Sequence, residues 1–127
     1  MAYRRFIEQA LRNETISLYG SGEQTRSNTY IDDCVTATIS ALTLGGKGEI
    51  YNISGNAERS IKEALEIIGR HVGQALDIEH LPAARGDQVR TMGDTSKAQS
   101  ELGFTHTVDL DEGLARQVAW QRDQENG

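Results

Sequence analysis

Several residue types that define other classes of protein are scarce in this sequence. Its 127 residues include one cysteine, Cys34, and one proline, Pro82, so an internal disulfide is excluded. No apolar run approaches the roughly 20 residues that span a bilayer, and the mean hydropathy is -0.53. The segment after Met1 is amphipathic rather than the apolar core of a signal peptide. We therefore expect a soluble, cytoplasmic protein.

Positive charge is also in short supply. Lys and Arg total 13 against 19 Asp and Glu, which gives a formal net charge of -6 with neutral histidines. The arginines are scattered along the chain, whereas DNA and RNA are bound by clustered basic surfaces and anionic membranes by cationic runs. The sequence therefore predicts neither a nucleic-acid partner nor a membrane partner.

The metal-ligating and nucleophilic residue types show no useful pattern. The three histidines, His71, His80 and His106, have no metal-ligand spacing with one another or with Cys34. Cys34 lies in a predicted helix with no histidine nearby in sequence, which is typical of a structural thiol rather than a nucleophile. We predict no metal site and no catalytic residue.

Apolar periodicity and capping residues predict five helices. The first covers residues 2–12, and the second begins at Asp32 or Asp33, which we interpret as capping residues. Ser60 and Glu63 form a capping box for a third helix that Gly73 ends. A short helix from Asp94 or Thr95 ends at Leu102. The last helix opens with a second capping box, Asp109 to Glu112.

Two of these helices carry an apolar stripe, and that of the last helix is expected to face inward. The second helix carries Val35, Ile39 and Leu42, and the last helix carries Leu114, Val118 and Trp120. Short strands are predicted at residues 16–19, 29–31, 49–53 and 76–80 from alternation and β-prone composition. The fold class is therefore α/β, a mixed arrangement of helices and short strands, and a four- or five-stranded parallel sheet is not visible.

Several blocks of sequence together resemble the extended short-chain dehydrogenase/reductase family. Residues 16–26 read ISLYGSGEQTR and residues 29–33 read TYIDD. Further blocks follow in the family's order: EIYNISG at 49–55, GD at 86–87, DTSKA at 94–98, ELGF at 101–104 and LDEGL at 110–114. The resemblance is closest to the C-terminal, substrate-binding portion of NAD-dependent epimerases and dehydratases, such as UDP-glucose and UDP-glucuronate 4-epimerases.

The motifs of the family's N-terminal half do not occur in the sequence. That half carries a Gly-x-x-Gly-x-x-Gly turn that binds NAD and a Tyr-x-x-x-Lys pair that performs acid-base chemistry. None of the four tyrosines is followed by lysine at that spacing, and Gly20-Ser21-Gly22 lacks a third glycine. The resemblance therefore implies that residues 1–127 form a single substrate-binding domain or fragment, that the N-terminal NAD-binding domain is missing, and that no NAD is bound.

The resemblance implies four substrate-binding residues. Arg26 would contact the diphosphate or ribose of a sugar nucleotide, although position alone also fits a solvated loop arginine. Arg85 would grip the diphosphate, Asp87 would accept hydrogen bonds from ribose hydroxyls, and Arg90 is an alternative to Arg85. After Arg26 the family commonly has an acid and an aromatic residue, where this chain has Ser27 and Asn28.

The implied function is to bind the nucleoside diphosphate of a UDP-sugar in a 4-epimerase, with NAD and catalysis supplied by the missing half. The isolated chain should then be catalytically inactive. Alternatives are part of a 4,6-dehydratase, a non-catalytic nucleotide-sugar-binding module, and a ligand-free structural fragment. The partners expected are a nucleoside-diphosphate sugar and the missing half, with a homo-oligomer left open.

Overall fold

The computed structural model describes residues 2–126, apart from the side chain of Asn126. Within these residues the chain forms ten elements: α1 (Ala2–Leu11), β1 (Ile16–Tyr19), β2 (Thr25–Arg26), α2 (Ile31–Leu44), β3 (Arg59–Ser60), α3 (Ile61–Val72), β4 (Ile78–Leu81), β5 (Arg90–Thr91), α4 (Ser96–Leu102) and α5 (Leu110–Asn126). The predicted α/β class is confirmed, with helices and short strands mixed. No helix within residues 2–126 combines the length and the apolar character needed to cross a bilayer.

The strands form two small sheets, one of two strands and one of three. β1 and β4 pair in parallel, with Ile16 opposite Ile78 and Tyr19 opposite Leu81. In the other sheet β2 lies between β3, which is antiparallel to it, and β5, which is parallel. The strand predicted at residues 29–31 is wrong: the strand lies earlier, at β2, and Ile31 already begins α2. The three-stranded sheet thus brings β3 and β5, which lie far along the sequence, beside β2.

The main core lies between α1, α3, α5 and β1. Its buried residues are Phe6, Ile7, Ala10, Ile16, Leu18, Ile61, Ala64, Leu65, Ile68, Leu114 and Val118. The amphipathic stripes of α1 and α3 recur at helical spacing, so each helix buries one continuous face against the others. Trp120, which we expected to face inward on α5, is 54% exposed, so that prediction is wrong.

The capping residues of α3 act as predicted. Ser60 Oγ accepts from the backbone N–H of Glu63 at 3.1 Å, and Glu63 Oε2 accepts from the backbone N–H of Ser60 at 2.8 Å. Gly73 ends α3 with a φ of +89°, a left-handed conformation that favours glycine. At α5 the carboxylate of Asp109 accepts from the N–H of Glu112 at 2.9 Å, which confirms Asp109 as a cap.

The aspartates at the start of α2 do not cap it. Tyr30 occupies the N-cap position, and no side chain caps the first turn. The carboxylate of Asp33 instead accepts from the backbone N–H groups of Thr107 and Val108, each at 3.1 Å, and from the Thr107 hydroxyl. Asp33 therefore joins α2 to the segment before α5, a tertiary contact that the local sequence pattern cannot reveal.

The segment predicted as a strand at residues 49–53 is not paired with any strand within residues 2–126. It runs past a second, smaller cluster of buried residues, Ala37, Ala98, Leu102 and Phe104, which joins α2 to α4. A strand requires a neighbouring strand to satisfy its backbone N–H and C=O groups. The sequence has the composition of a strand here, but the described residues supply no partner for it.

Candidate functional site

Arg26 and Asp87 meet although 61 residues separate them in sequence. Arg26 lies on β2, and Asp87 follows the turn at Gly86, where φ is +88°. The Arg26 guanidinium donates to Asp87 Oδ1 at 2.7 Å and to the backbone oxygen of Thr25 at 2.8 Å. Both side chains remain partly exposed, with 25% and 36% of their surface accessible. Two of the four predicted site residues are therefore brought together.

Gln24 fixes the position of Asp87 from the other side. Its amide nitrogen donates to Asp87 Oδ2 at 3.3 Å and to the backbone oxygen of Tyr19 at 3.1 Å. Gln24 ends the glycine turn that joins β1 to β2, and we did not single it out from the sequence. A glutamine in a turn carries no distinctive signal, because its role depends on a partner that lies far away along the chain.

These residues line a cleft of about 460 Å³. α1 forms one wall with residues 2–6, and β1 contributes residues 17–19. Gln24, Arg26, Asn28 and Asp87 supply polar groups, while the aromatic side chains of Tyr3, Phe6 and Tyr19 supply apolar surface. A cleft with an apolar lining and a few converging polar groups is the usual form of a small-molecule site.

Arg90 forms hydrogen bonds with Glu58 rather than with residues of this cleft. Its Nε donates to Glu58 Oε1 at 2.6 Å and Oε2 at 2.8 Å, and its terminal nitrogen lies 2.6 Å from Oε2. These hydrogen bonds lower the pKa of Glu58 and raise that of Arg90. Arg90 lines a different cavity, beside Gly55 and Met92. The structure therefore does not bring it to the cleft that holds Arg26.

Arg85 is also outside the cleft lining. It is exposed and lies in the turn before Gly86, while Asp87 two residues later lines the cleft. The structure thus separates the two arginines predicted in this segment from the Arg26 pair. The sequence placed Arg85 beside Gly86 and Asp87, but adjacency along a turn does not fix the direction of a long side chain.

The residues that depart from the family pattern after Arg26 are held firmly. The Ser27 hydroxyl donates to the backbone oxygen of Gly55 at 2.6 Å and lies 2.8 Å from Ser54 Oγ. A Cβ at Gly55 would lie 2.1 Å from the backbone oxygen of Asn28, so only glycine allows this approach. These contacts position Asn28 beside α1.

Asn28 reaches Tyr3 across the cleft wall. The Asn28 amide donates to the Tyr3 hydroxyl oxygen at 2.9 Å. Burial raises the pKa of Tyr3, and this outweighs the lowering by Asn28 and by the charge of Arg26. The Tyr3 hydroxyl is therefore protonated at neutral pH and can act as a hydrogen-bond donor. Neither residue was predicted as a site residue.

Two other possible sites have less to support them. A cavity of about 750 Å³ lies between α3 and β4, with Leu65, Leu76 and Ile78 in its mainly apolar lining, but none of the predicted site residues lines it. Among residues 2–126, no group of three or more His, Cys, Asp and Glu side chains is arranged to hold a metal ion.

The glycine turn at Gly20 and Gly22 differs from the turn that binds the NAD pyrophosphate. Gly20 and Gly22 adopt φ values of +80° and +82°, as residues of a tight turn do. The turn leads into β2, however, whereas the NAD pyrophosphate is bound where a glycine turn opens a helix. The turn therefore lacks the row of free N–H groups that a helix N-terminus presents.

Curated relatives match nearly the whole chain. A UDP-glucuronate 4-epimerase of Thermodesulfobacterium geofontis is 35% identical over 124 residues, which is 97% of this chain and 38% of the relative. A dTDP-glucose 4,6-dehydratase of Streptomyces griseus is 35% identical over 117 residues, 91% of this chain and 36% of the relative. The chain thus spans less than two fifths of the length of these two relatives.

Solved structures also match nearly the whole chain over part of their own length. The UDP-glucuronic acid 4-epimerase of Bacillus cereus, in complex with UDP-glucuronic acid and NAD, matches with a TM-score of 0.92 and 32% identity, over 98% of this chain and 40% of that chain. A UDP-glucose 4-epimerase of Thermotoga maritima, solved with UDP-glucose, matches with a TM-score of 0.93 and 28% identity, at the same coverage. The chain therefore has the fold of the corresponding part of extended short-chain dehydrogenase/reductase enzymes.

The family follows from a match to residues 3–117. The family model that matches this range is described as GDP-mannose 4,6 dehydratase, and the chain belongs to that family. Its relatives include NAD-dependent sugar-nucleotide epimerases and dehydratases, as the resemblance implied.

Proposed function

We propose that residues 1–127 are the substrate-binding portion of a NAD-dependent sugar-nucleotide 4-epimerase and bind the nucleoside diphosphate of a UDP-sugar. The observation that supports this most is the Arg26–Asp87 pair in a cleft of about 460 Å³. The Bacillus cereus structure that this chain resembles was solved with UDP-glucuronic acid and NAD, which favours a sugar nucleotide as the ligand.

Arg26 has the chemistry for phosphate. Its two hydrogen bonds, to Asp87 and to the Thr25 carbonyl, leave further N–H donors of the guanidinium unused. A planar guanidinium presents paired donors that match phosphate oxygens. Because the protein carries a net charge of -6, it repels a diphosphate at long range, and a local cation must supply the attraction.

Asp87 and Gln24 suit the ribose. A carboxylate accepts hydrogen bonds from hydroxyl groups, and Asp87 is held in the cleft by Arg26 and Gln24. The negative charge of Asp87 would oppose a phosphate, but the guanidinium at 2.7 Å compensates it locally. We infer that Asp87 faces the ribose hydroxyls while Arg26 faces the diphosphate.

In this proposal the chain binds and orients, and it performs no chemistry alone. In the complete enzyme NAD supplies hydride transfer at the sugar. The diphosphate is remote from the reacting carbon, so its binding energy serves to position the substrate. Neither NAD nor a catalytic Tyr-Lys pair can be assigned to the described residues, and we infer that the isolated chain is inactive.

A 4,6-dehydratase is the second candidate. The Streptomyces griseus dehydratase is 35% identical to this chain, the same value as for the Thermodesulfobacterium epimerase. A calorimetric comparison of UDP, UDP-glucose, UDP-glucuronate and dTDP-glucose separates the two. Preference for UDP-sugars supports the epimerase, and preference for dTDP-glucose supports the dehydratase.

The test of the site is UDP binding to wild type and to Arg26→Ala. We expect a loss of about 1–3 kcal/mol, roughly five- to a hundred-fold in affinity, because a charged hydrogen-bond donor to phosphate is removed. Binding to the wild type should also weaken with salt. Arg12→Ala is the matched control, since Arg12 pairs with Glu8 and Glu125 and does not line the cleft.

Each outcome separates the alternatives. Unchanged affinity of a folded Arg26→Ala variant would remove Arg26 from the site and turn attention to Arg85. Absence of binding to every nucleotide would leave the ligand-free structural fragment. Tight copurification of NAD, or turnover of a UDP-sugar by the isolated chain, would contradict the proposal as a whole.

A further inference from the structure

A tyrosine–asparagine pair lies in the same cleft as Arg26, where the resemblance has no counterpart for it. Asn28 stands at the position that is commonly aromatic in the family, and its amide donates to the Tyr3 hydroxyl oxygen at 2.9 Å. Tyr3 projects from α1, whereas Asn28 lies 25 positions later in the sequence, just after β2. Both residues line the cleft, together with Arg26 and Asp87.

The direction of this hydrogen bond decides what Tyr3 can do. The Asn28 amide is the donor and the phenol oxygen is the acceptor, so the O–H proton of Tyr3 is not used in the bond. It is free to be donated to another acceptor. Burial raises the pKa of Tyr3 above its ordinary value by more than Asn28 and the charge of Arg26 lower it, so the hydroxyl keeps its proton at neutral pH.

Tyr3 and Arg26 offer hydrogen-bond donors in the cleft, whereas Asp87 offers acceptors. Tyr3 supplies a neutral O–H and Arg26 supplies a charged guanidinium, whereas Asp87 supplies only acceptor oxygens. Phosphate oxygens accept hydrogen bonds, and the ribose hydroxyls can donate them. The donors Tyr3 and Arg26 therefore suit a diphosphate, and the acceptor Asp87 suits a ribose.

We propose that the Tyr3 hydroxyl, oriented by Asn28, is a second hydrogen-bond donor to the diphosphate oxygens in the cleft. This inference rests on the proposed function, because it assigns a further residue to the same nucleotide site. Asn28 acts as a positioning residue: its amide fixes the phenol oxygen, and the contacts of Ser27 with Gly55 and Ser54 hold that part of the backbone in place.

The experiment compares UDP with uridine, which lacks phosphates, in calorimetric titrations of single variants. Tyr3→Phe removes one hydroxyl and keeps the ring, which packs against the main core. We expect about a tenfold loss of UDP affinity, because a hydrogen bond to a charged group is removed, and unchanged uridine affinity. Asn28→Leu should lose about threefold, since the donor remains but is no longer oriented.

Tyr51→Phe is the matched control. The Tyr51 hydroxyl donates to Glu101 at 2.7 Å and accepts from the Gly46 N–H at 3.0 Å, and Tyr51 does not line the cleft. The same chemical change there should leave UDP affinity within about twofold of wild type. A larger loss in this control would show that hydroxyl removal acts through the fold, and would overturn the inference.

The outcomes distinguish this inference from the function on which it rests. Loss of UDP binding in Arg26→Ala with wild-type affinity in Tyr3→Phe would overturn the role of Tyr3 and leave the proposed function intact. An equal loss of UDP and uridine affinity in Tyr3→Phe would also overturn it. Failure of the wild type to bind UDP would remove both proposals.

A second measurement needs no variant of Tyr3. The four tyrosines can be labelled as 3-fluorotyrosine, and the Tyr3 resonance assigned by elimination with phenylalanine variants of the other three. UDP should shift the fluorine resonance of Tyr3 and uridine should not. A Tyr3 resonance that ignores UDP while other signals respond would contradict the contact even if Tyr3→Phe does not fold.

Discussion

The two apolar clusters of this protein differ in how fully they bury the aliphatic side chains of their helices. The main core buries aliphatic side chains from three helices and a strand, and Ile7, Ile16 and Ile68 are fully inaccessible. The smaller cluster around Ala37 and Phe104 covers only one side of α2. On the opposite side, the four aliphatic residues Ile31, Val35, Ile39 and Leu42 are 48–87% exposed.

The difference shows that α2 is partnered on its less apolar face. Its buried residues are Asp33 and Ala37, and the aliphatic stripe that normally forms a core points to solvent. Ile50, in the unpaired segment after α2, is also 81% exposed. Exposed apolar surface of this extent marks an interaction site in soluble proteins. We therefore expect this face of α2 to be an interaction surface.

The largest loss of stability is expected from a substitution in the main core. Ile68→Ala should lower the free energy of unfolding by about 3 kcal/mol, because it removes buried methylene groups and leaves a cavity. Ile39→Ala is the same change on the exposed face of α2 and should cost less than about 0.5 kcal/mol. Urea unfolding followed by circular dichroism measures both. Equal losses would show that the face of α2 is covered after all.

A smaller effect concerns the buried link between α2 and the segment before α5. Asp33 is 3% exposed, and Asn at this position loses the charge that Thr107 and Val108 satisfy. We expect Asp33→Asn to cost about 2 kcal/mol at pH 7. Asp32→Asn is the control, since Asp32 is exposed and lies 3.4 Å from Arg116, and should cost less than about 0.5 kcal/mol.

The effect of Asp33 should depend on pH. Burial by itself would raise the pKa of Asp33, but hydrogen bonds from Thr107 and Val108 and the nearby His106 lower it below its ordinary value. A lowered pKa stabilises the fold above the unfolded-state pKa of about 3.9 and loses this contribution as the pH falls through the folded-state value. The difference between wild type and Asp33→Asn should therefore shrink below about pH 4. A constant difference down to pH 2 would contradict this assignment.

The smallest change in stability is expected on the exposed aliphatic stripe of α2, where association is the property to measure. We expect the chain to self-associate despite its net charge of -6, because the aliphatic stripe of α2 faces water. Leu42→Asp should weaken association at least tenfold and reduce binding of a hydrophobic dye, with less than about 0.5 kcal/mol change in stability. Sedimentation over a range of concentrations measures it. A wild type that stays monomeric without dye binding would argue against the prediction.

Local pattern was sufficient to predict most of the helices. α1, α3 and α4 begin and end, and α2 and α5 begin, within a few residues of their predicted bounds, because capping residues and terminal glycines act within one turn. The capping box at Ser60 and the ends at Gly73 and Gly103 are examples. Where the same reasoning assigned Asp33 to capping it was wrong, since its partners lie 74 and 75 residues away.

The candidate site was only partly predictable. Arg26 and Asp87 were named from the family pattern, and the structure places them 2.7 Å apart. Gln24 was missed because a turn glutamine has no distinctive signal, and Tyr3 because its partner Asn28 lies far along the chain. Arg90 was named as an alternative to Arg85, but the carboxylate of Glu58 holds it at another cavity.

The sequence by itself determined the helical segments, the apolar stripe of each and the family to which the chain belongs. These features depend on residue spacing of a few positions or on blocks in a fixed order, and both are visible without coordinates. Only the tertiary structure decided which stripe is buried, which charges are paired and which side chains share a cleft. Burial and pairing depend on packing between segments far apart in sequence. The stripe of α2 therefore looks like a core face in the sequence, yet the described residues leave it exposed.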